Sequence, residues 1–209
     1  MSQPNFNAAK RYAQERLERE LPSRLIYHSV DHTLGDVLPA AEELAAREGV
    51  NGEALLLLRT AALYHDIGFI EQTANHEAIG TRIAAEVLPN FGYLPEQIEA
   101  IRGMIMATAL PQSPRTLLEK IIADADLDVL GREDFVSQNQ ALRDELVAGG
   151  TPLSDEGWYS SQLAFLQKHR YFTEAARALR AEGKQKNIEK VKKLLALSRS
   201  QDRGPAASE

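Results

Sequence analysis

Apolar residues recur along this chain at intervals of three and four, the spacing that lines one face of an α-helix. No stretch alternates apolar and polar residues over the length of a strand. Residues from about Asn7 to Glu20 predict a polar first helix, stopped near Pro22. From Val30 to Glu48, Leu34, Val37, Leu38, Ala41, Leu44 and Ala45 fall at helical spacing. Pro39 lies within that run, and its missing N–H predicts a kink there or the true start of the helix. Glu53 to Asp66 is the most apolar stretch and predicts a buried central helix, with Gly68 as a left-handed cap. Asn75 is placed to cap a helix from His76 to Leu88, which Pro89 ends.

Pro95 opens a helix through Ala107, and Ser113-Pro114 opens another running towards Leu127. Ser154 starts one to about His169, Thr173 caps a short one ending near Gly183, and a last helix runs to about Ser198. The expectation is an all-α fold: a single-domain irregular bundle of about eight to ten helices over residues 1–200, with a disordered tail at 201–209. The aromatic-rich stretch holding Trp158, Tyr159, Phe165, Tyr171 and Phe172 is expected to pack onto the main core.

Composition narrows the function. The chain has no cysteine, which excludes disulfides, thiolate zinc sites and cysteine nucleophiles and agrees with a reducing, cytoplasmic location. No apolar run reaches the length of a membrane span, and the polar N-terminus is not a secretory signal, so no membrane partner is expected. The formal net charge is −6, and the one basic stretch, Lys184–Lys193, has the lysine spacing of a solvated helix face. No extended nucleic-acid partner is therefore expected. A homo-oligomer is compatible with the sequence.

The chemistry sits in the histidines and in one acidic run. Four of the five histidines, His28, His32, His65 and His76, fall within a quarter of the chain. Neutral imidazole is the commonest transition-metal ligand near neutral pH. His28 and His32 are four apart and share a face if that region is helical. His65-Asp66 ends the apolar central helix, where a buried carboxylate requires a cation or strong donors. Asp124, Asp126 and Asp128 alternate with apolar residues at the end of another apolar helix, against the helix macrodipole.

Three segments together, Tyr27-His28-Ser29-Val30-Asp31-His32-Thr33, Tyr64-His65-Asp66-Ile67-Gly68 and Ala123-Asp124-Ala125-Asp126-Leu127-Asp128, resemble the HD-domain metal-dependent phosphohydrolase superfamily. His76-Glu77-Ala78-Ile79-Gly80 is similar to it as well. The resemblance covers about residues 24–131, with the helices of about 154–198 as additions. It implies an HD-type helical bundle whose metal ligands are His32, His65, Asp66 and Asp126, with Asp124 as the competitor for the distal position. It also implies one divalent ion, among Mn, Fe, Ni, Co, Zn and Mg, and a metal-activated water that cleaves a small phosphate ester, a nucleotide being the expected case. Nitrogen and oxygen donors without sulfur suit this set, with Mn or Fe preferred.

His76 and His28 are then the candidate catalytic residues, contacting the phosphate or orienting a ligand. No histidine occurs between His76 and Asp126, which argues for one ion and against two. The segment after Gly68 reads Phe69-Ile70-Glu71, unlike the Gly-Tyr-Pro extension of the cyclic-dinucleotide enzymes. Arg24, Arg82, Arg102 and Lys120 are the basic residues nearest the motifs in sequence. The alternative is a non-catalytic, metal-stabilised signalling or interaction module. A third reading, di-iron oxygenase chemistry, needs more ligands than the chain offers.

Overall fold

The computed structural model describes residues 4–202. Among them are nine α-helices and no strands. In chain order these are α1 (Phe6–Glu20), α2 (Leu38–Arg47), α3 (Gly52–Tyr64), α4 (His76–Val87), α5 (Pro95–Thr108), α6 (Leu117–Asp126), α7 (Phe135–Ala148), α8 (Asp155–Lys168) and α9 (Glu174–Asp202). No helix of the described residues is long and apolar enough to cross a membrane.

α3 is the hub. Residues from Leu57 to Tyr64 are almost all buried, and the helix touches α1, α2, α5 and α6. The Tyr64 hydroxyl donates to the Ala9 carbonyl at 3.0 Å, so even the polar end of this core side chain is satisfied. One large apolar cluster joins α1 to α6 and takes in Tyr171, just before α9, with Ala175 and Ala176 from its first turn. A second, smaller cluster of Leu130, Phe135, Leu166, Ile188 and Val191 ties α7, α8 and α9 to the turn after α6.

Several local readings are corrected. Pro39 stands in the first turn of α2, the start that the sequence allowed, yet helical backbone runs unbroken from 30 to 47, with a π-helical turn at His32–Val37 just ahead of the proline. There the Leu38 N–H reaches the Thr33 carbonyl, one residue further back than in an α-helix. The wider turn gives the proline ring room where it would meet the carbonyl four residues before it. α6 starts at Leu117, later than Ser113-Pro114 suggested, because Thr116 and Glu119 form a reciprocal capping box. Asn75 sits before α4 in a left-handed conformation and makes no side-chain cap.

Gly68 is not left-handed. Its role is close approach: a Cβ there would lie 1.9 Å from the His76 carbonyl oxygen. Gly183 does not end a helix either, since α9 continues through it to Asp202. It packs on the backbone of Gly131, where a Cβ would lie 1.9 Å from the carbonyl oxygen. The predicted disordered tail thus begins with two helical residues, and its remainder, 203–209, lies outside the described residues. α7 has no counterpart in the sequence reading. Its buried residues, Phe135, Asn139 and Glu145, are mostly polar, so no apolar stripe marks it.

Candidate metal centre

α3 ends at Tyr64, and the next two residues turn inward as the chain enters a short 3-10 turn at Ile67–Ile70. His65 is fully buried and Asp66 nearly so. The His65 Nδ1 donates to the Ala62 carbonyl at 2.8 Å, which leaves Nε2 as the lone-pair atom. That Nε2 lies 3.1 Å from Asp66 Oδ2. His32, on the π-helical turn, brings its Nε2 to 3.6 Å from the same oxygen. Asp126, the last residue of α6, places Oδ1 3.5 Å from both imidazole Nε2 atoms. The structure therefore groups His32, His65 and Asp66 tightly and sets Asp126 against both imidazoles.

Three of the converging atoms, His32 Nε2, His65 Nε2 and Asp66 Oδ2, are buried without a hydrogen-bond partner. Such atoms are costly to bury unless something else meets them. His32, His65 and Asp66 each offer a ligand atom, all within 4.8 Å of one another. The donor set suits a divalent cation: two imidazole nitrogens with carboxylate oxygens beside them. Burial opposes charge on the His65 ring, yet Asp66 and Asp126 together hold its pKa well above the ordinary histidine value. Burial would raise the Asp66 and Asp126 carboxyls. The facing imidazoles overcome this, holding Asp66 well below the usual range and Asp126 at about 2. The point between these groups thus favours positive charge.

The alternating acids of α6 divide their work. Asp124 is turned away from the histidines and fully buried. It accepts from the Phe172 N–H at 2.8 Å, the Thr173 N–H at 2.8 Å and the Thr173 hydroxyl at 2.7 Å, all just before α9. Asp128 pairs with Arg180 of α9 at 2.6 Å. Only Asp126 faces the cluster.

His76, at the first turn of α4, donates from Nδ1 to the Thr73 carbonyl at 3.1 Å and sets Nε2 3.4 Å from Asp66 Oδ1. Phe69 lies between His76 and His28, stacked on both, with ring centroids 3.9 and 4.3 Å away. His28 is held by a residue the sequence reading missed. Glu145 of α7 accepts from the N–H groups of Tyr27 and His28 at 2.9 and 3.0 Å, and meets His28 Nδ1 at 2.5 Å. Burial would lift the Glu145 carboxyl, but His28 and the two N–H groups lower it. Nothing local in the sequence around Glu145 marks it, because its partners lie more than a hundred residues away.

Asp66, Asp126, His28 and His76 open onto a cavity of about 280 Å³ whose wall is completed by α7 and α8. None of the basic residues near the motifs lines it. Arg82 is spent on Glu71 and Glu86, and Arg102 on Glu99.

Residues 30–128 match the HD domain family model, and the match spans His32, the His65-Asp66 pair and Asp126. This stretch is an HD domain. Two solved structures share the fold over nearly the whole chain. One is a predicted HD superfamily hydrolase from an uncultured Thermotogales bacterium, 20% identical, with a TM-score of 0.62 and 92% of each chain covered. The other is a protein of Lactobacillus plantarum, 19% identical, with a TM-score of 0.68, covering 94% of this chain and 97% of that one. At these identities the likeness speaks for the fold. No curated protein matches the chain. HD domains bind divalent metals, and the histidine–aspartate cluster of this HD domain fits that chemistry.

Proposed function

We propose that this protein is a metal-dependent phosphohydrolase that cleaves a small phosphate ester. One divalent ion, with Mn or Fe preferred, would be held by His32, His65, Asp66 and Asp126. The observation that carries the reading is the set of buried, unpartnered ligand atoms beside an open cavity. A bound divalent cation supplies charge neutralisation at a phosphoryl oxygen and lowers the pKa of water.

The chain's own residues supply the rest. The Ala62 carbonyl fixes the His65 tautomer, so the ring offers Nε2 without reorganisation. His76 stands at the N-terminal end of α4, where the helix favours an anion, and its Nε2 faces the cavity side of Asp66. His28, with Nδ1 engaged by Glu145, keeps Nε2 for a phosphate oxygen or for the proton that a leaving oxygen takes up. Phe69 holds the two rings a fixed distance apart.

The test is metal analysis of the purified protein, then a panel of phosphomonoesters and phosphodiesters, with Asp66→Ala and Asp66→Asn alongside. Both variants are expected to lose most of the metal and all turnover. Wild-type metal content in either one would remove Asp66 from the ligand set. A metal-loaded wild type inert towards the whole panel would favour the non-catalytic module.

A further inference from the structure

The cavity beside the histidine–aspartate cluster has two kinds of wall. One carries the ionisable groups, with Asp66, Asp126 and Glu77 beside His28 and His76. The other is apolar, with Leu130, Phe135, Leu142 and Phe165, and is interrupted by amides from α7 and α8. Among the described residues no lysine or arginine lines either wall.

The amides form a directed chain. Trp158 Nε1 donates to Asn139 Oδ1 at 3.0 Å, and Asn139 Nδ2 donates to Gln162 Oε1 at 2.6 Å. An indole N–H can only donate, so the chain has one sense and fixes which way each amide is turned. Gln162 has its carbonyl occupied and its NH2 group left to offer.

Building on the phosphohydrolase reading, we infer that this wall is the leaving-group subsite, and that it takes an uncharged, partly apolar alcohol with a hydrogen-bond acceptor for Gln162. In the reaction a water oxygen forms the new bond to phosphorus, the bond from phosphorus to the alcohol oxygen breaks, and a proton ends on the departing oxygen. A leaving group that carried further phosphates or a carboxylate would lie on the apolar wall away from the histidines, where no lysine or arginine meets it, which is unfavourable in a partly buried pocket. An apolar ring or chain gains from leaving water at the leucines and phenylalanines. The volume, about 280 Å³, lies near the lower end of small-molecule pockets and demands a compact group.

Three esters of similar shape and similar leaving-group basicity test this: benzyl, 4-acetylbenzyl and 4-carboxybenzyl phosphate. The metal-loaded wild type, Gln162→Leu and Leu142→Arg are compared by kcat/KM. Binding of the two substituted benzyl alcohols to each protein is followed by calorimetry. The wild type should prefer the acetyl over the carboxy ester by about tenfold or more. Gln162→Leu should lower the acetyl-to-benzyl ratio by about tenfold, the size of one lost hydrogen bond. Leu142→Arg should narrow the gap for the carboxy ester. Turnover without these preferences would overturn the subsite and leave the hydrolase reading intact. No turnover, with the acetyl alcohol still bound in preference through Gln162, would overturn the hydrolase reading and keep the wall's chemistry. Equal binding of the two alcohols would overturn the subsite in either case.

Discussion

Asp124 and Asp126 are two residues apart on one helix, and replacing each by alanine should damage different properties. Asp124 accepts three hydrogen bonds from Phe172 and Thr173. Bonds to a charged acceptor contribute about 1.5–3 kcal/mol each. Burial, which raises the Asp124 pKa, offsets part of that sum. A net loss of about 3–5 kcal/mol is expected for Asp124→Ala, because it leaves three donors unmet where α9 docks. That is a large part of the ~5–15 kcal/mol holding a typical domain together. Asp126→Ala removes an acid whose partners are His32 and His65, so it should empty the metal site and stop turnover with a much smaller change in unfolding. The assay is urea unfolding of chelated protein, paired with metal content of the folded fraction at low temperature. Equal metal loss in the two variants, or an unfolding change below about 1 kcal/mol for Asp124→Ala, would refute this division of roles.

Three further outcomes are expected. After extensive dialysis the protein should retain one divalent ion per chain, and His76→Ala should raise KM or lower kcat while leaving that ion in place; two full ions by anomalous scattering, one of them on His76, would refute the single-ion proposal. A chain ending near Gly150 should not fold cooperatively, since Leu130 and Phe135 lose Leu166, Ile188 and Val191, and Asp124 loses its donors; a soluble fragment of native-like stability would contradict this. His169 is held neutral, at a pKa of about 4, by burial and then by Lys184 and Arg170. The unfolded chain therefore binds the extra proton first as pH falls from about 6.5 to 4, so stability drops across that window, by about 1–2 kcal/mol once solvent screening of this partly exposed ring is allowed for. His169→Gln should flatten the drop in urea midpoints, and an unchanged slope would count against it.

What could be read in the chain was what local pattern writes. The apolar run of α3, the proline that opens α5 and the Ser154 cap are one-dimensional signals, and the helices formed there. The histidines and the His65-Asp66 pair drew attention because they are few and sit at the edge of apolar runs. What stayed hidden depends on contacts made across the fold. Gly183 looked like a terminator, yet it is small because another backbone, that of Gly131, lies against it. α7 was silent because the face it buries carries Asn139 and Glu145, which serve the cavity and His28. Which of Asp124 and Asp126 faces the histidines depends on partners about 50 residues downstream, at Phe172 and Thr173.

The wide turn ahead of Pro39 has a consequence for how this helix is divided. One residue more than an α-turn requires is held between His32 and α2, and a residue of helix corresponds to about 100° of rotation. The segment before the bulge and the segment after it are therefore set at different phases. Ala41, Leu44 and Ala45 can point squarely into the core while His32, on the same continuous backbone, points at Asp66 and Asp126. A regular helix would carry the imidazole round to another angle relative to the buried face of α2, so the extra residue sets the offset that lets one continuous helix serve both the core and the cluster.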